Sequence, residues 1–151
     1  MIAVIFPGQG SQKAGMGQGL RESFPESKEV YDIADSVITD DMSESLSQLI
    51  AEDREKKLML TEYTQPAVLT VSIAAYFALK ARGLQPAWVA GHSLGEYSAH
   101  VASGTLKFED AVRIVRRRGR YMQEAVPVGQ GAMAAILGLD EDTVQRACLE
   151  A

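Results

Sequence analysis

The stretch WVAGHSLG, residues 88–95, decides the fold of this 151-residue chain. Its first three residues are apolar and follow a proline, as expected of a short strand, and the small residues after Gly95 indicate a helix. The five residues 91–95 match the pattern G-x-S-x-G, in which two glycines allow a sharp turn that raises the serine hydroxyl above the edge of a sheet. The sequence therefore predicts a strand, a tight turn and a helix, with Ser93 in the turn.

Ser93 is the candidate nucleophile. The turn directs the backbone N–H of Leu94, together with the positive end of the following helix, at the position where an oxyanion develops during acyl transfer. A glycine-rich turn with a passive serine is the alternative interpretation. The flanking strand and helix favour the catalytic one, because the pattern requires both.

A second loop is expected near this turn. Residues 2–6 are continuously apolar and rich in β-branched side chains, which predicts a strand covered on both faces in a parallel sheet. If this strand neighbours the one before Ser93, the loop 7–12 leaves the same edge of the sheet, where ligands bind. The backbone N–H of Gln9 would then be a second oxyanion donor. A plain glycine turn and a phosphate-binding loop are the alternatives, although neither phosphate-binding glycine pattern is satisfied.

The remaining chain is predicted to be mainly helical. Besides the helix after Ser93, helices are expected over residues 28–37, 43–50, 64–82, 108–126 and 141–149, and a strand over 132–137. The helix 64–82 has Thr64 as its N-cap and Pro66 in its first turn. Nearly all of its faces are apolar or small, so we expect other layers to bury it.

Arg118 is the candidate cation. At about 100° per residue, it falls within an apolar stripe made by Phe108, Ala111, Val115, Met122 and Val126. Four other arginines lie on the opposite side of the helix: Arg113, Arg116, Arg117 and Arg120. This side is expected to be a solvated face or, alternatively, to bind an acidic partner. A buried arginine keeps its charge and needs a carboxylate. That carboxylate belongs either to an internal Asp or Glu or to a substrate.

Composition argues against several classes of function. The chain has 20 Asp plus Glu and 15 Lys plus Arg, a formal net charge of −5, so neither nucleic acid nor an anionic membrane is an expected partner. No apolar run approaches the roughly 20 residues of a membrane span, and the N-terminus does not resemble a signal peptide. One cysteine, Cys148, allows no internal disulfide and no thiol cluster for a metal. These features predict a cytoplasmic protein.

Taken together, the motifs resemble the malonyl-CoA:acyl carrier protein transacylase family, which includes the acyltransferase domains of polyketide synthases. The matching segments are FPGQGSQ at 6–12, TQPA at 64–67, GHSLGEYSA at 91–99, RG at 118–119 with MQEA at 122–125, and GAM at 131–133. The resemblance implies that Ser93 is the nucleophile and that the backbone N–H groups of Gln9 and Leu94 form the oxyanion hole. It also implies that Gln9 lines the substrate site and that Arg118 binds the malonyl carboxylate through a bidentate pair.

The resemblance further implies a fold and a reaction. Residues 1–127 are expected to belong to a large α/β hydrolase-like domain, a parallel sheet with helices on both faces. Residues 128–151 are expected to begin an inserted ferredoxin-like domain. The expected reaction moves a malonyl group from malonyl-CoA to the phosphopantetheine thiol of acyl carrier protein, without a metal or redox cofactor. The full-length protein is expected to be a monomer.

The catalytic histidine of the family is the component that this chain lacks. Only His92 and His100 are present; His92 should diverge from the Ser93 hydroxyl, and His100 should pack or face solvent. The chain is therefore expected to be the N-terminal half of a longer protein and to be inactive alone. The alternatives are a serine thioesterase or esterase, which needs no arginine on the stripe, and an inactive fragment that binds carrier protein or completes a split enzyme.

Overall fold

The computed structural model describes residues 1–39, 42–54, 56–127, 129–131 and 136–150. In chain order its elements are β1 (Ala3–Phe6), α1 (Gln18–Ser23), α2 (Pro25–Val37), α3 (Leu46–Glu52), α4 (Thr61–Lys80), β2 (Trp88–Gly91), α5 (Gly95–Ala102), α6 (Phe108–Ala125) and α7 (Glu141–Glu150), with a 3-10 turn at Lys57–Met59 before α4. Within these residues no helix is both long and apolar enough to cross a bilayer. The predicted α/β class, a parallel sheet combined with helices, is confirmed, and the sheet is small in the described residues, with two strands.

The two strands lie side by side. They run parallel, with Ala3 opposite Trp88 and Phe6 opposite Gly91. The N–H of His92 donates to the Phe6 carbonyl at 3.1 Å, which carries the pairing into the turn. The loop after β1 and the turn after β2 therefore leave the sheet at the same carboxyl edge, which was the condition for a shared site.

One face of this sheet is packed and the other is open in the part of the chain that the structure describes. Phe6 packs edge-on against Tyr76 of α4, with ring centroids 6.0 Å apart, and Ala99 of α5 joins the same cluster. On the opposite face, Ile5 is 75% exposed and Trp88 is 68% exposed. The prediction that β1 is covered on both faces is therefore wrong for the described residues. An apolar run indicates that a strand is adapted to burial, but not which segment supplies it.

Helix α4 is central to the core. Leu69, Ile73 and Ala74 are fully buried in it, and α2 and α6 pack along its sides. The predicted burial of this helix is confirmed. Burying the Leu69 and Ile73 side chains stabilises the fold by about 1.5–3 kcal/mol each relative to exposure.

The N-terminus of α4 differs from the prediction. The helix begins at Thr61, with Leu60 as N-cap, rather than after Thr64. Thr64 instead donates its hydroxyl to the carbonyl oxygens of Leu58 and Leu60, at 2.6 and 3.0 Å. Its side chain thus hydrogen-bonds to carbonyls of the preceding turn. A threonine near the start of a helix can do this or act as the N-cap, and the sequence pattern alone does not tell the two apart.

Pro66 consequently lies inside α4 and not in its first turn. A proline has no N–H, so it cannot donate to the carbonyl of Glu62 four residues earlier. Arg116 of α6 supplies a donor there, with its Nη1 2.9 Å from the Glu62 carbonyl oxygen. The proline and the arginine are therefore complementary parts of the α4–α6 contact.

The face of α6 that packs on α4 is displaced from the predicted stripe. Ala111 and Val115 are fully buried, and Gly119 approaches α4 so closely that a Cβ there would lie 2.7 Å from the Thr61 carbonyl oxygen. Met122 and Val126, which were predicted to share this stripe, are 37% and 51% exposed. Helical periodicity identified a stripe, but the buried face is rotated about the helix axis toward Arg116 and Gly119.

Arg116 is the largest correction on this helix. It was predicted to be solvated, but it is 4% exposed. Its Nη1 lies 3.0 Å from Glu62 Oε2, and its guanidinium carbon lies 4.5 Å from the ring centroid of Tyr63. Arg120 also faces Glu62, with Nε 3.7 Å from Oε2. Only Arg113 and Arg117 of the predicted solvated set are exposed.

The C-terminal predictions are met in part. α7 coincides closely with the helix predicted over 141–149, and none of its residues is buried. Most of the predicted strand, 132–135, lies outside the described residues, and Ile136 and Leu137 are exposed and not in a strand. The ferredoxin-like domain and its boundary at residue 128 stay predictions.

Candidate active site

Ser93 lies in the turn between β2 and α5. Its φ is 51°, in the left-handed region that residues with a side chain seldom adopt. Such a conformation costs about 1–3 kcal/mol and persists only when its surroundings hold it. The predicted strand, turn and helix are confirmed, and the turn presents Ser93 on the exposed surface.

The two glycines of the turn are required by close contacts. A Cβ on Gly91 would lie 1.9 Å from the carbonyl carbon of Gly95, and a Cβ on Gly95 would lie 2.3 Å from the Phe6 carbonyl oxygen. Both distances are far inside van der Waals contact. The turn is therefore pressed against itself and against the end of β1, which fixes the direction of Ser93.

Leu94 is the N-cap of α5, and its side chain is buried. The next N–H groups are used by the turn: Gly95 donates to His92 O at 2.9 Å and Glu96 donates to Ser93 O at 3.2 Å. Among the described residues, the N–H of Leu94 has no acceptor. It is an unused donor beside the serine at a helix N-terminus.

The loop 7–12 packs directly on this turn. A Cβ on Gly8 would lie 2.8 Å from both the Nδ1 and the carbonyl oxygen of His92. The next residue, Gln9, is exposed, and its backbone N–H has no acceptor within the described part of the chain. Its side chain is held, since Nε2 donates to Thr61 Oγ1 at 3.1 Å. The structure thus brings a second unused backbone donor to the same sheet edge.

Arg118 reaches Ser93 from α6. Its Nη2 donates to Ser93 Oγ at 3.3 Å, and its Nη1 donates to Gln65 Oε1 at 2.7 Å. The guanidinium carbon also lies 5.8 Å from the ring centroid of Tyr97. The side chain is half-buried rather than buried, so its charge is accessible from the serine side.

Gln65 is a site residue that sequence reasoning missed. It is fully buried in α4, and its Nε2 lies 3.1 Å from the sulfur of Met122. A buried amide must be hydrogen-bonded, and this one orients the Arg118 fork. Its signal in the sequence was a lone amide among the apolar residues of the most apolar helix.

The charge of Arg118 has no internal counter-ion among the described residues. Its hydrogen-bond partners are the amide of Gln65 and the hydroxyl of Ser93, whereas the nearby carboxylate of Glu62 pairs with Arg116 and Arg120. The sequence left two possible carboxylate partners for Arg118, an internal Asp or Glu and a substrate. No Asp or Glu among the described residues pairs with it. An exposed serine hydroxyl beside a half-buried cation is an arrangement that can bind an acyl group carrying an anion.

Residues 3–150 match the acyl transferase domain family. The chain belongs to this family. It is 52% identical over 145 residues to the malonyl CoA-acyl carrier protein transacylase of Bacillus subtilis (strain 168), covering 96% of this chain and 44% of that protein. With the transacylase of Escherichia coli (strain K12) it shares 48% identity over 151 residues, 99% of this chain and 48% of that protein. The chain spans about half the length of these relatives.

Solved structures show the same fold. The malonyl CoA-acyl carrier protein transacylase of Coxiella burnetii superimposes with a TM-score of 0.87 at 45% identity, covering 99% of this chain and 46% of that one. A malonyl-transacylase solved in complex with its type II polyketide acyl carrier protein gives a TM-score of 0.86 at 43% identity, covering 99% and 47%. This chain therefore shares the architecture of about half of each of these solved structures.

Neither histidine of this acyl transferase segment is hydrogen-bonded to Ser93 Oγ. His92 turns its Nδ1 toward Gly8, and His100 lies on the exposed side of α5 with Nε2 4.0 Å from Glu96 Oε1. Both follow the sequence prediction. Among the described residues, no three His, Cys, Asp or Glu side chains are grouped closely enough to hold a metal ion.

Proposed function

We propose that the whole protein transfers a malonyl group from malonyl-CoA to the phosphopantetheine thiol of acyl carrier protein, by way of an ester on Ser93. The observation that carries this proposal is the position of Arg118, whose Nη2 lies 3.3 Å from Ser93 Oγ without a carboxylate partner among the described residues. The names of the relatives support the same substrate pair.

In the proposed reaction, Ser93 Oγ attacks the thioester carbonyl while a base takes its proton. The N–H groups of Gln9 and Leu94, for which the described residues provide no acceptor, stabilise the oxyanion. The tetrahedral intermediate collapses, the C–S bond breaks, and coenzyme A leaves as its thiol with the transferred proton. The carrier-protein thiol then attacks the ester in the reverse sense and frees Ser93. Because His92 and His100 both face away, the proposal places the base outside these 151 residues.

Arg118 is proposed to select the acyl group. Its Nη1 is fixed by Gln65, so its remaining N–H groups can form a bidentate pair with the malonyl carboxylate. Fixing the fork before substrate arrives reduces the ordering cost of binding. A neutral acyl group would leave the cation unpaired, which disfavours it.

The broader setting is proposed on the same basis. Residues 1–127 would form part of an α/β hydrolase-like domain, and 128–151 would begin a ferredoxin-like one. The chemistry needs a serine, a base and two backbone donors, so no cofactor is required beyond the coenzyme A carried by the substrate. A monomeric cytoplasmic enzyme is the proposed form.

The test is to incubate the whole protein with malonyl-CoA and locate the added malonyl mass by peptide mapping. The ester is expected on Ser93 and is expected to be lost in Ser93→Ala. Holo acyl carrier protein should then discharge it. Label that persists elsewhere in Ser93→Ala would refute the nucleophile, and release of malonate to water faster than transfer to carrier protein would favour the thioesterase alternative.

A further inference from the structure

We propose that Thr61 is a positioning residue for acyl transfer, which holds the Gln9 loop so that its backbone N–H faces the carbonyl attacked by Ser93. This inference rests on the proposed function. Thr61 is the first residue of α4, and its hydroxyl accepts from Gln9 Nε2 at 3.1 Å. The bond joins the oxyanion loop to a helix that is anchored in the core.

The loop 7–12 needs such an anchor. Its internal hydrogen bonds are short-range: Ser11 Oγ donates to Gly8 O at 2.9 Å, and Gly10 N donates to the side chain of Gln12 at 2.8 Å. Two side-chain contacts reach out of the loop, from Gln9 to Thr61 and from Gln12 Nε2 to the sulfur of Met59 at 3.8 Å. Both end on the segment 59–61. The second is a weak hydrogen bond to sulfur, so the Thr61 hydroxyl is the stronger of the two contacts.

Thr61 is itself held from α6. Its backbone N–H is one of the donors at the start of α4 that have no partner within the helix, and Gln123 Oε1 accepts from it at 3.3 Å. Gly119, on the same helix, allows α6 to approach the Thr61 carbonyl. The first turn of α4 is thus fixed by the helix that also carries Arg118.

One short segment therefore connects both halves of the proposed site. Gln65, one turn after Thr61, fixes the Arg118 guanidinium, and Thr61 fixes the loop of Gln9. The two residues should affect different steps of the reaction. Gln65 acts on binding of the acyl carboxylate, whereas Thr61 acts on the oxyanion, which exists only in the transition state and the intermediate.

The experiment compares Thr61→Val, which keeps the shape and removes the hydroxyl, with Thr61→Ser, which keeps the hydroxyl. In the whole protein, Thr61→Val is expected to lower kcat about tenfold, less than the 10²–10³-fold effect of deleting an oxyanion donor, because the donor is displaced and not removed. The KM for malonyl-CoA should be unchanged, and transfer of malonyl and acetyl groups should fall by the same factor. Thr61→Ser should restore kcat.

Two further variants isolate the contact. Gln9→Leu with Thr61→Val should be no slower than either single variant, since both remove the same hydrogen bond. Thr70→Val is the matched control, because its hydroxyl lies on the same helix and, within the described residues, bonds only to Pro66 O at 2.8 Å; its kcat should match that of the unchanged protein.

The outcomes separate the two levels of the proposal. If the unchanged protein forms no ester on Ser93, the proposed function fails. If it does form the ester but Thr61→Val keeps a normal kcat, the positioning role is refuted. It is also refuted if Thr61→Val and Thr61→Ser lower the melting temperature and kcat by the same amounts. An increase in the KM for malonyl-CoA with an unchanged kcat would refute it too.

Discussion

Replacing Arg118 by alanine tests whether this cation recognises the acyl carboxylate. Its Nη2 is 3.3 Å from Ser93 Oγ, and the guanidinium is half-buried, so the charge is partly screened by water. A charge-assisted hydrogen bond in this setting contributes about 1.5–3 kcal/mol. At 1.36 kcal/mol per decade, kcat/KM for malonyl-CoA should fall by roughly one to two decades. Acetyl transfer should hold or rise, because no carboxylate is lost.

The assay is steady-state transfer from each thioester to acyl carrier protein, with thermal melts of the same samples. The melts are needed because Gln65 loses the donor to its buried Oε1, which costs about 1–3 kcal/mol of stability. Arg118→Lys keeps the charge without the fork and should retain an intermediate malonyl preference. Arg113→Ala is the matched control, since Arg113 is exposed on the same helix and pairs, in the part of the chain that the structure describes, only with Asp110 at 3.1 Å. An unchanged ratio of malonyl to acetyl transfer in Arg118→Ala would refute the assignment.

Three other predictions concern the scaffold. Gly95→Ala should destabilise the fold by at least the roughly 1–3 kcal/mol of core overpacking, because its Cβ would lie 2.3 Å from Phe6 O; urea unfolding with an unchanged midpoint would contradict this. Glu62→Gln should cost about 3–5 kcal/mol, because it removes the charge that pairs with buried Arg116, and a loss below 1 kcal/mol in the same experiment would show that the pair is screened. Burial raises the pKa of Tyr31 to about 12. The contribution of its neutral phenol to the stability of the fold is therefore complete below pH 10 and is lost as the pH rises toward 12. Tyr31→Phe should remove this alkaline loss of stability in melts recorded across that range.

The turn around Ser93 could be predicted because its signal is local. The two glycines, the strand before them and the helix after them lie within a short stretch, and each is required by backbone sterics that any chain obeys. The shared edge with the Gln9 loop could be stated only as a condition. It depends on β1 and β2 being neighbours, a pairing between distant parts of the chain that local patterns do not encode.

Arg116 and Arg118 show where helical periodicity reaches its limit. A wheel at 100° per residue gives the angle between two side chains, but not which direction faces the core. That direction was set by Gly119 against Thr61 and by the Glu62 carbonyl, which lacks a backbone donor because Pro66 has no N–H and which accepts from Arg116 instead. These contacts join α6 to a helix about fifty residues earlier, so the charge of Arg116 suggested solvent when its partner was not yet known.

The parallel pairing of β1 with β2 also determines when, during folding, the Gln9 loop and the Ser93 turn come together. Ala3 meets Trp88 only after the whole intervening helical segment has been brought into place, and such non-local contacts form late and slowly in folding. The loop of Gln9 leaves one of these strands and Ser93 the other. In the proposed mechanism, a newly made chain carries Ser93 without the two oxyanion donors in place until the sheet closes. We therefore expect partly folded molecules to consume thioesters poorly, whatever helix they have already gained.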